Sequence, residues 1–228
     1  MCLVTSSLVG GGAEKKALEI LQYLNEQGYN AHLIVLSSKK IHFDISNIEN
    51  IWFADKYYKK PIFGFMELQR KAQALDFQIK ILEEKFGRFD LILARLYGTH
   101  RLFAKLNYEQ VFYSIHSDPW VEATHNKNLS KTIKSIASFK RVYKNKKIVC
   151  VSKGIKYTLV NKFSLNEKDI TIIYNPFKFE DIIKKSTEYK VEIEDDYIVH
   201  VGRFHPQKRH DILFESYKKM KTEHKLVL

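Results

Sequence analysis

Two permanent cations bracket a tight turn near the end of the sequence, Gly202-Arg203-Phe204-His205-Pro206-Gln207-Lys208-Arg209-His210. The apolar run Tyr197–Val201 leads into the glycine, and a helical pattern follows the turn. A helix start offers unsatisfied N–H groups and the positive end of a dipole. Arg203 and Lys208 beside such a start form a receptor for an anion of the diphosphate type. That points to chemistry on a phosphorylated ligand.

Two further places could do chemistry. Gly10-Gly11-Gly12 lies between an apolar run and a helical pattern. Glycine there either lets a ligand approach the backbone at an anion-accepting helix start or simply makes a tight turn. The dinucleotide fingerprint fails because Lys15 occupies its third glycine position, and the phosphate-loop pattern is absent. His116, in Ser114-Ile115-His116-Ser117-Asp118, ends a strand-like run. It is either a hydrogen-bonding or proton-handling group facing a ligand or a loop histidine capping a turn, and Asp118 reads equally well as a helix cap. Arg95, Tyr97 and His100 follow another strand and, by position alone, are expected to face a bound substrate.

These residues need a scaffold that brings strand ends together. Strand-like runs at Leu3–Ser6, Ala31–Leu36, Leu91–Ala94, Val111–Ile115, Ile148–Val151 and Ile170–Tyr174 alternate with helical patterns. Ala13, Ala17, Leu18, Leu21 and Leu24 make one helix face, stopped by Gly28. Phe65, Leu68, Ala72, Leu75, Ile79, Leu82 and Phe86 make a longer one, closed by Gly87. Strands separated by helices imply parallel sheets with ligands at the strand carboxyl ends. The reading is a lobe over residues 1–176, a polar connection at 177–196 without a core face, and the start of a second α/β lobe at 197–228. One or two strands with one helix bury too little to stand alone, so residues beyond about 196 are expected to pack on the first lobe or to fluctuate.

Thirty-eight Lys and Arg against 26 Asp and Glu give a net charge of +12, which favours anionic partners. Residues 127–147 concentrate it: Lys127, Lys131, Lys134 and Arg141 share one helical stripe, and Leu129, Ile133, Ile136 and Tyr143 another. Such a helix either lies on anionic lipid or presents a solvated face over a packed stripe. Aromatics are not interleaved with the basic residues, which argues against nucleic acid. Two sparse cysteines, Cys2 and Cys150, read as reduced thiols in a cytoplasmic protein. The N-terminus lacks the basic, long apolar pattern of a signal peptide, and no run approaches a membrane span. Glu194-Asp195-Asp196 precedes its strand and reads as a solvated turn, and no zinc-type Cys/His spacing occurs.

Taken together, the segments SSLVGGGAEKKALEILQYLNEQGYNAHLIVL, IVCVSKGIKYTLV, IIYNPF and IVHVGRFHPQKRHDILFESYKKM resemble glycosyltransferase family 4. The resemblance implies an α/β fold of the GT-B type. It would have a Rossmann-like N-terminal lobe with a parallel sheet, plus the first βα unit of a second Rossmann-like lobe. It implies a retaining hexosyltransferase that draws on a sugar nucleotide, UDP-linked, needs no metal, and builds a bacterial surface glycan such as lipopolysaccharide or capsule. The acceptor would be a glycan or lipid-linked, at the inner face of the plasma membrane. Arg203 and Lys208 then match the pair that grips the donor diphosphate. Gly11 and Gly12 match the loop approaching the donor from the other lobe, and His116 matches the histidine beside the transferred sugar. Family members continue past the Arg/Lys segment with a strand, a glycine-containing loop and paired glutamates. The expectation is therefore an intact acceptor lobe with an incomplete donor lobe, inactive by itself. The alternative is a non-catalytic relative that binds membrane or a partner protein through its basic face.

Overall fold

A computed structural model of the chain describes residues 1–125, 127–190 and 192–228, with the backbone alone at 207. The chain divides into two compact units, residues 1–175 and 176–228.

The first unit is built on seven parallel strands: β1 (Cys2–Thr5), β2 (His32–Val35), β3 (Ile51–Phe53), β4 (Ile92–Arg95), β5 (Val111–Ile115), β6 (Lys147–Cys150) and β7 (Ile170–Ile172). Their order in the sheet is β3-β2-β1-β4-β5-β6-β7. The connections carry α1 (Gly12–Glu26), α2 (Glu67–Phe86), α3 (Leu96–Phe103), α4 (Pro119–Thr124), α5 (Leu129–Tyr143) and α6 (Lys153–Asn161). Strand side chains alternate between faces, so both faces need cover. Leu3, Leu33 and Val35 pack with Ala17, Leu18 and Leu21 of α1. Cys2, Val4 and Ile34 pack with Leu75, Ile79 and Leu82 of α2 on the other side. Cys2 and Cys150 are both free and fully buried, and burial raises both thiol pKa values.

The second unit contains α7 (Phe179–Ser186), β8 (Tyr197–Val199), α8 (His210–Lys219) and β9 (Lys225–Val227), with β8 and β9 parallel.

Three expectations change. Residues 177–196 are not simply a connection: they include α7, which buries none of its residues and therefore has no core stripe to read. The long helix begins at Glu67, not Phe65, because Gly64–Met66 forms a separate 3-10 turn that leaves Phe65 84% exposed. The apolar stripe of α5 packs only through its second half, where Phe139, Val142 and Tyr143 are buried while Leu129 and Ile133 stand exposed.

Candidate functional site

The strand order reverses at β1. From β1 the chain crosses to β2 on one side, and from β3 it returns to β4 on the other. The crevice outside the carboxyl ends of β1 and β4 is therefore the topological switch point where parallel α/β sheets bind ligands. Ser6 to Gly12 leave β1 there, Arg95 and Leu96 end β4, and His116 ends the neighbouring β5.

Gly10 has φ 96°, a turn that a side chain would strain. Gly11 caps α1 in an extended conformation with no side-chain cap. The two glycines assigned to the ligand loop differ. A Cβ on Gly12 would meet nothing within 4 Å, so this backbone is open to approach. A Cβ on Gly11 would lie 2.0 Å from Glu14 Oε2. The Glu14 carboxylate is buried against that glycine and accepts a hydrogen bond from Ser7 Oγ at 2.9 Å. A negative group at a helix start is favourable to the dipole.

Arg95, Tyr97 and His100 each have a partner inside the protein, and Tyr97 and His100 also line the small cavity that holds His116. Arg95 is 2% exposed; its Nη2 donates to the carbonyl of Ala13 in the first turn of α1 at 2.9 Å, and its Nε has no partner among the described residues. Burial pushes its pKa down to about 10. His100 is buried between Ala94 O at 3.0 Å and Tyr143 Oη at 2.9 Å. A carbonyl only accepts, so Nε2 carries the proton and Nδ1 accepts from the tyrosine. Tyr97 bonds Ser138 Oγ at 2.8 Å and stacks on Phe139. Tyr97 and His100 tie α3 to α5 and the sheet, and Arg95 ties β4 to α1, contacts that their position after a strand did not reveal.

His116 is half-buried, with Nε2 2.9 Å from Ser114 Oγ, and shares a cavity of about 40 Å³ with Leu96, Ser117 and Glu122. Burial, with the positive charge of Arg95 and the nearby His100, pushes its pKa down to about 3. The ring is neutral at physiological pH and acts as a hydrogen-bonding group. Asp118 is structural. It caps α4 by accepting from Trp120 N at 2.8 Å and takes a hydrogen bond from Thr158 Oγ1 at 3.0 Å.

In the second unit, Gly202 follows β8, Pro206–Lys208 forms a 3-10 turn, and α8 starts at His210. Arg203 and Lys208 are exposed, and neither has a carboxylate within ion-pair distance among the described residues. The adjacent Arg209, left-handed at φ 52°, is instead held by Asp211 at 2.8 Å. A Cβ on Gly202 would fall 3.5 Å from Cγ of Lys208 and 3.1 Å from His200 Nε2, so the glycine lets the lysine stem lie along the turn.

Comparison with known proteins bears on this arrangement. The family model for Glycosyltransferase Family 4 matches residues 10–180. A Campylobacter jejuni N-acetylgalactosamine-N,N'-diacetylbacillosaminyl-diphospho-undecaprenol 4-alpha-N-acetylgalactosaminyltransferase is 27% identical over 234 residues, 97% of this chain and 60% of its own length. A glycosyltransferase crystal structure from Rickettsia africae aligns with TM-score 0.59 at 20% identity, over 96% of this chain and 57% of that one. An alpha-glucosyltransferase bound to UDP and DNA aligns with TM-score 0.54 at 16% identity, over 96% and 53%. The fold is α/β of the GT-B type, and the chain spans between 53% and 60% of the length of each of these proteins.

Proposed function

The chain belongs to glycosyltransferase family 4, and on that premise we propose that it provides the acceptor-side lobe and the first βα unit of the donor-side lobe of a retaining hexosyltransferase. The donor is a sugar nucleotide, UDP-linked, and no metal takes part. The acceptor is a lipid-linked glycan of bacterial surface polysaccharide, such as lipopolysaccharide or capsule. The curated relative, whose name specifies a diphospho-undecaprenol-linked acceptor, supports this choice.

The observation that carries the reading is the contrast between neighbouring cations. Arg203 and Lys208 have no carboxylate partner among the described residues, whereas Arg209 is neutralised by Asp211. Two unneutralised cations at a strand-to-helix turn suit a diphosphate better than a purely structural turn. In the second unit they grip the diphosphate and receive the electron pair as the sugar–phosphate bond breaks. In the first unit, the Gly11–Gly12 backbone approaches the donor, and neutral His116 hydrogen-bonds the transferred sugar. The acceptor hydroxyl attacks on the face that the diphosphate leaves, and its proton passes to the departing oxygen. No protein nucleophile is needed.

The first half of α5, with Leu129 and Ile133 exposed among Lys127, Lys131 and Lys134, favours peripheral contact with the anionic inner face of the plasma membrane. Among the described residues no helix is long and apolar enough to cross a membrane. The 228 residues alone are inactive in this reading, and contact through that basic face is then their remaining activity. The test is Arg203→Ala in a form carrying the complete donor-side lobe. We expect a sugar-transfer rate lowered on the order of a hundredfold or more with folding unchanged. Undiminished turnover would remove the assigned leaving-group site.

A further inference from the structure

We propose that a cavity of about 670 Å³ in the first unit, at the carboxyl ends of β1 and β2, holds the diphosphate of a lipid-linked acceptor, with Ile62–Phe65 receiving the first part of its prenyl chain. The proposal rests on the lipid-linked acceptor proposed above and assigns it to particular residues.

Charge is the first argument. Lys39, Lys60, Lys71 and Arg101 line the cavity against two acids, Asp55 and Glu67, an excess of two positive charges. Both acids already have partners. Asp55 accepts from the amide and hydroxyl of Ser38 at 2.7 and 2.9 Å, and Glu67 pairs with Lys71 at 2.5 Å. Lys39, Lys60 and Arg101 form no ion pair among the described residues, and all three are exposed. A diphosphate diester carries two negative charges, which matches this excess.

The second argument is the rim. Pro61, Ile62 and Gly64 line the same cavity, and Ile62 is 94% exposed. Phe63 and Phe65 stack at 5.7 Å between ring centroids and are exposed too. Apolar side chains this open next to an anion-accepting cavity fit an amphiphile with a charged head and a hydrocarbon tail. A soluble sugar phosphate would have no use for them. The volume is also in the range of small-ligand sites.

Position is the third. Ser6 and Gly98 line the cavity, and a Cβ on Gly98 would lie 2.7 Å from Ser6 Oγ. Ser6 opens the segment that continues to Gly12. The cavity is therefore joined through Ser6 to the segment that carries the glycine loop assigned to the donor.

The test uses the whole chain without a donor. Its flotation with phosphatidylcholine vesicles carrying farnesyl-diphospho-N-acetylglucosamine is compared with vesicles carrying phosphatidylglycerol at equal charge. We expect preference for the diphospholipid, reversed by excess inorganic pyrophosphate. Lys60→Ala and Arg101→Ala should each weaken this binding about fivefold, the effect of one cation near an anionic surface. Phe63→Ser with Phe65→Ser should weaken vesicle binding but leave pyrophosphate binding intact. Equal flotation with both vesicle types, or binding unchanged by the two charge variants, overturns the proposal. Binding lost only in the phenylalanine variant overturns the diphosphate site. No sugar is transferred in these measurements, so failed transfer with this binding intact would count against the enzymatic reading and not the cavity.

Discussion

The guanidinium of Arg95 donates to the carbonyl of Ala13 at 2.9 Å, fastening the end of β4 to the first turn of α1. Its positive charge is also one of the influences that keep His116 unprotonated. One buried cation is thus bonded to the helix that follows the glycine loop and acts through its charge on the strand-end histidine.

Arg95→Met separates these roles from stability. Ala13 O keeps its helical partner, and a buried, under-bonded charge is removed, so folding stability should stay within about 1 kcal/mol of the parent or rise. The His116 pKa, followed by NMR, should rise. Transfer by the form with a complete donor lobe should fall roughly a hundredfold if the glycine loop shifts by an ångström. A loss of several kcal/mol in unfolding measurements would show that Arg95 is chiefly a structural strut.

Gly12→Ala tests the open backbone. Its φ is ordinary and a Cβ would meet nothing, so thermal unfolding should show a gain of about 0.5–1 kcal/mol. Transfer should drop, because the new methyl group occupies the space of approach. Full activity in a stabilised variant would reduce the loop to a tight turn. Gly11→Ala should instead destabilise by about 1 kcal/mol, since its Cβ pushes the Glu14 carboxylate aside and breaks its hydrogen bond to Ser7.

Lys208→Ala and Arg209→Asn change adjacent cations with opposite expectations. Lys208→Ala should depress transfer on the order of a hundredfold. Arg209→Asn should leave it unchanged, because asparagine tolerates the left-handed backbone and the lost cation served only Asp211. Equal losses in steady-state kinetics would mean that bulk charge, not a gripped diphosphate, matters.

Acid should loosen the first unit. His100 is buried and its pKa is lowered to about 4 by burial, against 6.5 in the unfolded chain. Between those values the unfolded chain binds the extra proton. Stability is therefore full above about pH 6.5 and lost progressively towards pH 4, by on the order of 3 kcal/mol from this residue. Unfolding midpoints measured from pH 7.5 to 4.5 should fall, and His100→Gln should flatten the slope. A midpoint independent of pH would contradict the burial of a neutral ring.

Most strands were legible because a parallel sheet covered on both faces turns them into apolar runs. β3 was not, being only three residues long and half-buried. Nor was α3, which starts directly at the end of β4 through Leu96 at φ 71° and carries Gly98 and two buried polar residues, Thr99 and His100. The assigned site residues were readable as glycines, a strand-end histidine and paired cations. The packing of Arg95 was not readable because its side-chain hydrogen bond reaches 82 residues back along the chain, beyond any local pattern. The acid over Gly11 was equally invisible, since Glu14 reads as an ordinary first-turn glutamate until Ser7 is seen beside it.

Both native thiols are sealed in the sheet, with burial holding them in the unreactive protonated form. The wild-type background is consequently silent to maleimides and methanethiosulfonates. A single cysteine introduced at Phe65 or Lys127 would carry a fluorophore or spin label alone, reporting how deeply each region meets lipid without first stripping the chain of its own sulfur.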